Sequence, residues 1–479
     1  MFAEVLSNAP ELAPGIFTSM GAIYEGEIVS RPISNALVQD DLYVEMTFAR
    51  VMDTVGLDAT SADYGEAFKN AQYALWHANA GARRNLNRGI PAPLSGDPRY
   101  TIHADDIYFQ IESDFIGIMC LGLPQMVNHY ADRVGRVMNY GDGLYGGMFV
   151  GGMYATAFFE SDPRKVVEAG LACIPAGSSY AALLRDLLAW SAAEPDDWRQ
   201  VWRKMEDKWD KGDVCPDGAI REFNIDAKLN GGYIAFGLLY GKGDWQQTME
   251  IATRCGQDAD CNPSSAVGVL GAILGYARLP EKYKVELAKV ADTKFSYTEY
   301  SFNDIVKSTE ARALAVIRRA GGEVSETRIT VPLQSPKAPP LEQSNYGVPA
   351  KVLLCDDAAW QWHGKWIEKD GKRWSEKIRV WVADGVGSEV TLTFEGTGIA
   401  LAGDLSVEGG RADVYLDGAK SELVADAYTG PKLHENDLWR MHGLKPGSHT
   451  LRLVMTDDAD PRSQGRKLMI SRAVVYADK

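Results

Sequence analysis

Gly256-Gln-Asp-Ala-Asp-Cys-Asn-Pro-Ser-Ser-Ala-Val-Gly-Val-Leu-Gly-Ala-Ile-Leu-Gly275 sets two carboxylates and a thiol in a glycine-led turn, then runs into a helix of small residues. Acidic pairs beside Gly and Ala lack neighbours that would neutralise them, and hard divalent ions take oxygen ligands of this kind. Two further acidic groups lie upstream. Gln39-Asp40-Asp41 is followed by Glu45 one helical turn on, and His103-Ala-Asp105-Asp106 precedes Glu112 and Asp114. Each pair alone also suits a helix cap.

Outward from these clusters the chain reads in two styles. Asp40–Val55, Val166–Ala172, Ser179–Ala193 and Asp244–Arg254 space apolar residues by three and four, the period of a half-buried helix. Gly143–Ala157, Gly231–Leu239 and Ser264–Tyr276 are rich in small residues, which predicts helices packed closely on one another. Pro332, Pro336, Pro339 and Pro340 then break the period, with one short strand expected around Arg328–Val331. Glu389–Phe394, Arg411–Leu416 and Thr450–Met455 alternate, Ile470–Tyr476 reads as a closing strand, and glycine turns separate them. The expected architecture is multi-domain, with an all-α domain over 1–320, a linker over 321–350 and an all-β sandwich or jelly roll over 351–479.

Composition narrows the function classes. The 479 residues are 46% hydrophobic and 24% charged, an ordinary globular balance and enough for two or three domains. A net charge of −15 argues against nucleic acid, which demands clustered Lys and Arg. No apolar run reaches the roughly 20 residues of a membrane span. Met1–Gly15 lacks the pattern of a signal peptide, so the expectation is a soluble chain, periplasmic or secreted if a leader has been removed. Six cysteines do not make a disulfide framework and read as buried thiols. Among the motifs, no Ser-His-Asp set, phosphate-binding Gly loop with Lys or Cys/His zinc spacing stands out. His77 and His129 read as lone histidines on helical stretches.

Taken together, the acidic motifs resemble the ADP-ribosylglycohydrolase family. Gly256–Gly275 is similar to the family's C-terminal signature, a Gly-rich loop with Asp-x-Asp-Thr before a Gly/Ala helix, and Gln39-Asp40-Asp41 to its N-terminal Thr-Asp-Asp. Asn224–Gly241 resembles the helix before that signature, and the likeness runs from about Ile23 to Leu279. It implies an all-helical fold whose two ends hold one or two Mg²⁺ ions, with Asp40, Asp41, Asp258 and Asp260 as ligands. The implied activity is hydrolysis of an N- or O-glycosidic bond of ADP-ribose or a related furanosyl substrate, so the partners expected are ADP-ribosylated or glycan substrates. Three departures stand out: Cys261 replaces the ligating Thr, Gln39 the other Thr, and the family's opening Gly-Asp-Ala helix is not evident before Tyr24.

Glycoside cleavage also needs a carboxyl acid or base. Asp106 and Glu112 are the first candidates, then Asp114 and Glu25, while Asn139 and Asp142 of Asn139-Tyr-Gly-Asp142 are candidate substrate contacts.

In the last third, Gly387–Ile399, Gly409–Gly418 and Leu438–Leu451 resemble the galactose-binding-like jelly rolls appended to carbohydrate-active proteins. Six of the chain's twelve Trp lie here (360, 362, 366, 374, 381, 439), and Trp439 is the candidate sugar contact because pyranose faces stack on aromatic rings. The sequence supports three readings: an ADP-ribose hydrolase, a hydrolase of an extracellular glycan, and a non-catalytic sugar-binding protein.

Overall fold

The computed structural model describes residues 23, 40–210, 225–285, 287–342, 347–373, 376–430 and 432–478. Among them the chain forms two compact units, a helical one up to 342 and a β-rich one from 347.

The helical unit is built around Gly141–Ala157, whose residues are almost all buried. Helices Asp114–Met119, Pro124–Gly135 and Pro163–Leu171 and the short turn Tyr108–Ile111 pack on it. Missing side chains make this possible. A Cβ at Gly147 would stand 2.2 Å from the Phe109 ring, and one at Gly117 would stand 2.7 Å from the Gly151 carbonyl. A second layer is formed by Ala227–Gly241, Trp245–Arg254 and Cys261–Leu274, packed on one another. Asp162, Ser178, Asp226 and Asp244 cap helix starts by accepting backbone N–H bonds.

The periodic stretches bear out the helical expectation. Ser179–Ala193 is a helix with those bounds, and Asp40–Thr54 and Trp245–Arg254 differ from expectation by one residue at an end. The proline-rich segment after the hairpin Glu323–Val324/Ile329–Thr330 runs along the helical unit as an extended strap. Its amide Gln334 N–H donates to the Gly122 carbonyl at 3.0 Å, and Asn128 Nδ2 donates to the Lys337 carbonyl at 3.0 Å. Glu342 ends the strap: one carboxylate oxygen pairs with Arg136 and the other accepts the Gly141 N–H at 3.0 Å.

The strands described in the β-rich unit pair antiparallel, with two isolated parallel bridges, Ser406–Tyr428 and Gly409–Lys467. Its larger sheet runs Ala425–Asp426, Arg411–Leu416, Leu433–Met455, Glu389–Leu405, Arg472–Ala477, Val348–Leu354, and Trp360–His363 also pairs with Glu389–Leu405. The smaller sheet runs Lys467–Ile470, Glu376–Asp384, Trp366–Arg373. Leu392, Phe394, Leu401, Leu451 and Leu453 of the first meet Ala383, Leu468 and Ile470 of the second in one core, which makes a sandwich. Leu433–Met455 is bulged at three places, and these let 23 residues follow the curved sheet. Glu389–Phe394 alternates as expected, but the strand continues buried on both faces to Leu405. Gly403 permits this, because the Met469 carbonyl of the smaller sheet lies where its Cβ would be.

Candidate functional site

Helix Asp40–Thr54 carries Asp41 and, one turn later, Glu45 on the same side. The Asp40 side chain, Gln39 and Glu25 lie outside the described residues. Glu45 Oε1 accepts the Phe115 N–H at 3.4 Å, which ties the helix to the corner bearing Asp114. Burial, reinforced by Asp114 and Asp41, holds the Glu45 carboxyl well above the usual range. Burial also pushes Asp114 up to about 7, against the pull of the Tyr154 hydroxyl, which donates to Oδ2 at 2.7 Å; Asp41 adds a further push.

The third element is the Gly256–Asp260 loop. Gly256 and Gln257 both have positive φ (85° and 58°), a double left-handed turn that ends the preceding helix and reverses the chain. Asn230, fully buried on helix Ala227–Gly241, clamps the residues after this turn: its Oδ1 accepts the Asp258 N–H at 3.0 Å and Asn262 Nδ2 at 2.7 Å. Asp258 is buried, and Asp260 and Cys261 are half-buried. A carboxylate oxygen from each Asp and the Cys261 Sγ lie within 4.8 Å of one another. Burial and then Asp260 raise the Asp258 carboxyl, and burial, Asp258, Asp260 and Asp41 raise the Cys261 thiol.

Asp41 therefore acts on both Asp114 and Cys261, so the first helix, the Asp114 corner and the C-terminal loop converge. The strongest charge effects on Glu45, Asp114, Asp258 and Cys261 come from neighbouring carboxylates. Three buried oxygens here, Asp114 Oδ1, Gln257 Oε1 and Asn262 Oδ1, also find no hydrogen-bond donor among the described residues. An oxygen-rich, donor-poor cluster suits a divalent cation, with Asp258, Asp260 and Cys261 as the group able to hold it.

The other expected residues occupy a neighbouring segment. Asp106 Oδ2 lies 2.9 Å from His103 Nδ1, both buried, and His77 completes a group within 4.8 Å. His77 was expected to stand alone; its left-handed backbone (φ 38°) sets it beside the His103 ring at 5.6 Å. Glu112 is fully buried, with Oε1 accepting from Asn79 Nδ2 at 2.5 Å. Asn139 is a clip for this segment. Its Nδ2 donates to the Ala104 and Asp106 carbonyls at 2.9 Å each, and its Oδ1 accepts the Phe109 N–H at 3.0 Å. Asp142 accepts from the Ser179 hydroxyl and faces Asp105, whose carboxyl is raised first by burial and then by Asp142 and Asp226. The Asp226 carboxylate is paired with Lys228 at 2.5 Å. Asp106 and Asp226 form a β-bridge, and Asn230 Nδ2 bonds the Asp226 carbonyl at 2.9 Å, so this segment and the Asp258 loop share one support.

Trp439 is corrected. It is 3% exposed in the sandwich core, with Nε1 donating to the Leu423 carbonyl, so it has no face to offer a sugar. Trp362 instead stacks between Trp360 (5.2 Å) and Trp381 (4.9 Å), with Trp366 edge-on at 4.7 Å. Tyr154, Asn230 and Asn79 were not singled out from the sequence. The available signal was a polar group alone on a small-residue helix, as with Asn230 in Ala227–Gly241.

The family model described as ADP-ribosylglycohydrolase matches residues 5–314. A curated relative, the A type blood alpha-D-galactosamine galactosaminidase of Flavonifractor plautii, is 40% identical over 74 residues, 15% of this chain and 6% of its own length. The chain thus spans only a small part of that relative. Among solved structures, a Paenibacillus xanthan lyase is 13% identical with a TM-score of 0.23 over 29% of this chain and 14% of its own. The CBM36-1 domain of a multidomain xylanase from the hindgut metagenome of Trinervitermes trinervoides is 16% identical with a TM-score of 0.19, over 26% of this chain and 94% of its own. Among the described residues no helix is long and apolar enough to cross a membrane.

Proposed function

The chain belongs to the ADP-ribosylglycohydrolase family, a family of generally divalent-metal-dependent glycosidic-bond hydrolases, and on that premise we propose that its helical unit is such a hydrolase. The observation that carries this reading is the convergence of Asp41, Glu45 and Asp114 with the Asp258–Asp260 loop, where a carboxylate oxygen of each Asp and the Cys261 Sγ lie within 4.8 Å of one another. One or two divalent cations, Mg²⁺ by the carboxylates alone, would be held by Asp41, Asp258 and Asp260, with Asp40 as the fourth candidate ligand. A cation so held would supply Lewis acidity toward a sugar diol or a water.

The chain's own residues supply the rest. Asp114, whose carboxyl is raised by burial and which lies beside Glu45 and Asp41, is our first assignment for acid/base work. Tyr154 fixes its orientation through Oδ2, and Oδ1 finds no hydrogen-bond donor among the described residues. Asp106 and Glu112 stand behind it, each already engaged by a neighbour, His103 and Asn79.

ADP-ribose remains the first substrate to test. A plain glycan is the second reading, favoured by the appended sandwich and the similarity to a galactosaminidase. The test is hydrolysis of ADP-ribosylated protein and of aryl furanosides and pyranosides, each with divalent metal and with chelator. Metal-dependent release from either class supports the proposal, and the class that reacts decides between the readings. Turnover that persists in excess chelator overturns it.

A further inference from the structure

Resting on that reading, we propose that Cys261 is itself a metal ligand and that the loop Asp258–Cys261 selects a thiophilic divalent ion of the zinc or cobalt kind over Mg²⁺. The Sγ belongs to the same donor group as the Asp258 and Asp260 carboxylates, all within 4.8 Å. One ion about 2.0–2.3 Å from each donor spans at most about 4–4.6 Å, so small side-chain rotations within this group bring all three onto it. Four other described cysteines, Cys120, Cys173, Cys255 and Cys355, are buried, whereas Cys261 is only half-buried. It opens helix Cys261–Leu274 with its N–H directed at Asp258 Oδ1 at 3.5 Å. The next residue, Asn262, is fully buried, and its Oδ1 has no donor among the described residues. Its Nδ2 and the Asp258 N–H share Asn230 Oδ1, so the donors on either side of Cys261 are held before any ion arrives.

Thiolate sulfur bonds strongly to zinc-class ions and poorly to Mg²⁺, which demands oxygen and keeps its waters. A shell of two carboxylates and one thiolate, with Asp41 facing it, therefore reverses the preference that carboxylates alone would have. On binding, the thiol gives its proton to solvent and the sulfur lone pair goes to the ion.

The experiment is Co²⁺ titration of the chelator-stripped full chain, with occupancy from equilibrium dialysis and the ligand set from absorption. A thiolate-to-cobalt charge-transfer band should grow to saturation with the bound ion. Cys261→Ser should lose the band and bind Co²⁺ at least about tenfold more weakly, while its Mg²⁺ affinity does not fall. Alkylation of Cys261 in the unaltered chain, followed by peptide mass spectrometry, should be slowed by Zn²⁺ and not by Mg²⁺. Bound Co²⁺ without the band, or alkylation indifferent to Zn²⁺, overturns the thiolate assignment and leaves the hydrolase reading intact. Failure to bind either Co²⁺ or Mg²⁺ overturns both.

Discussion

Gly268→Ala and Gly271→Ala place the same methyl group three residues apart on helix Cys261–Leu274, yet their outcomes should differ. At Gly268 the added Cβ would stand 1.9 Å from the Tyr154 hydroxyl, the group that orients Asp114. At Gly271 the nearest atom is 3.6 Å away, ordinary van der Waals contact with Trp245. Tyr154 is 4% exposed, so its ring has little room to yield. Overpacking of a well-filled core costs about 1–3 kcal/mol. Losing the hydroxyl's bond to a buried carboxyl adds about 1–2 kcal/mol. Replacing Gly by Ala in a helix returns about 1 kcal/mol. The sum for Gly268→Ala is a loss of about 1–4 kcal/mol, centred near 2.5, and for Gly271→Ala a change between zero and about 1 kcal/mol of gain. Chemical denaturation of both variants, followed by a probe in the helical unit, measures the gap. Gly268→Ala should also lower kcat more than it raises KM, because Asp114 loses its orientation. Equal stability within about 0.5 kcal/mol, with unaltered kcat, would refute the packing argument and with it the role given to Tyr154.

Three further expectations come from separate parts of the structure. Asp258→Asn removes one of several mutually repelling buried carboxyls, so the chelator-stripped variant should be about 1–2 kcal/mol more stable than the parent while inactive; a thermal melt showing destabilisation would contradict the repulsion. Glu342→Ala strips Arg136 and the Gly141 N–H of their shared partner and should cost about 1.5–3 kcal/mol, with the strap 331–342 opening to proteolysis first. In the sandwich, His449 donates to Asp417 at 2.7 Å, which holds the imidazole above and the carboxyl below their ordinary values. The His449 contribution is present below the unfolded imidazole value and fades as pH rises through the raised one. The Asp417 contribution is present above the unfolded carboxylate value and fades as pH falls through the depressed one. The stability difference between parent and His449→Gln should therefore be greatest between about pH 4 and 6.5 and vanish well above that window.

The outline of both units was legible because its signals are local. Spacings of three and four marked Ser179–Ala193, and alternation marked Arg411–Leu416. The long buried end of Glu389–Leu405 was not legible, since burial on both faces depends on the Met469 carbonyl arriving from another sheet. Asp258 and Asp260 announced themselves as carboxylates beside Gly and Ala, where nothing else neutralises them. Asn230 and Tyr154 did not, because a clamp is recognisable only when its partner, 28 or 40 residues away, is seen. Trp439 shows the converse error: an aromatic residue on a turn-rich β pattern says nothing about which face of the sheet it takes, and its face is the core. His77 was read as solitary because His103 and Asp106 reach it only through the fold.

The central claim is that carboxylates from the first helix and the Asp258 loop hold one or two cations on which hydrolysis depends. Divalent-ion binding and substrate turnover, measured together on the parent, Asp41→Ala and Asp258→Ala, test it most directly. Each variant is expected to lose both binding and turnover while its sandwich unit keeps the parent's unfolding transition. Full turnover in either variant, or in the parent under excess chelator, would contradict the account.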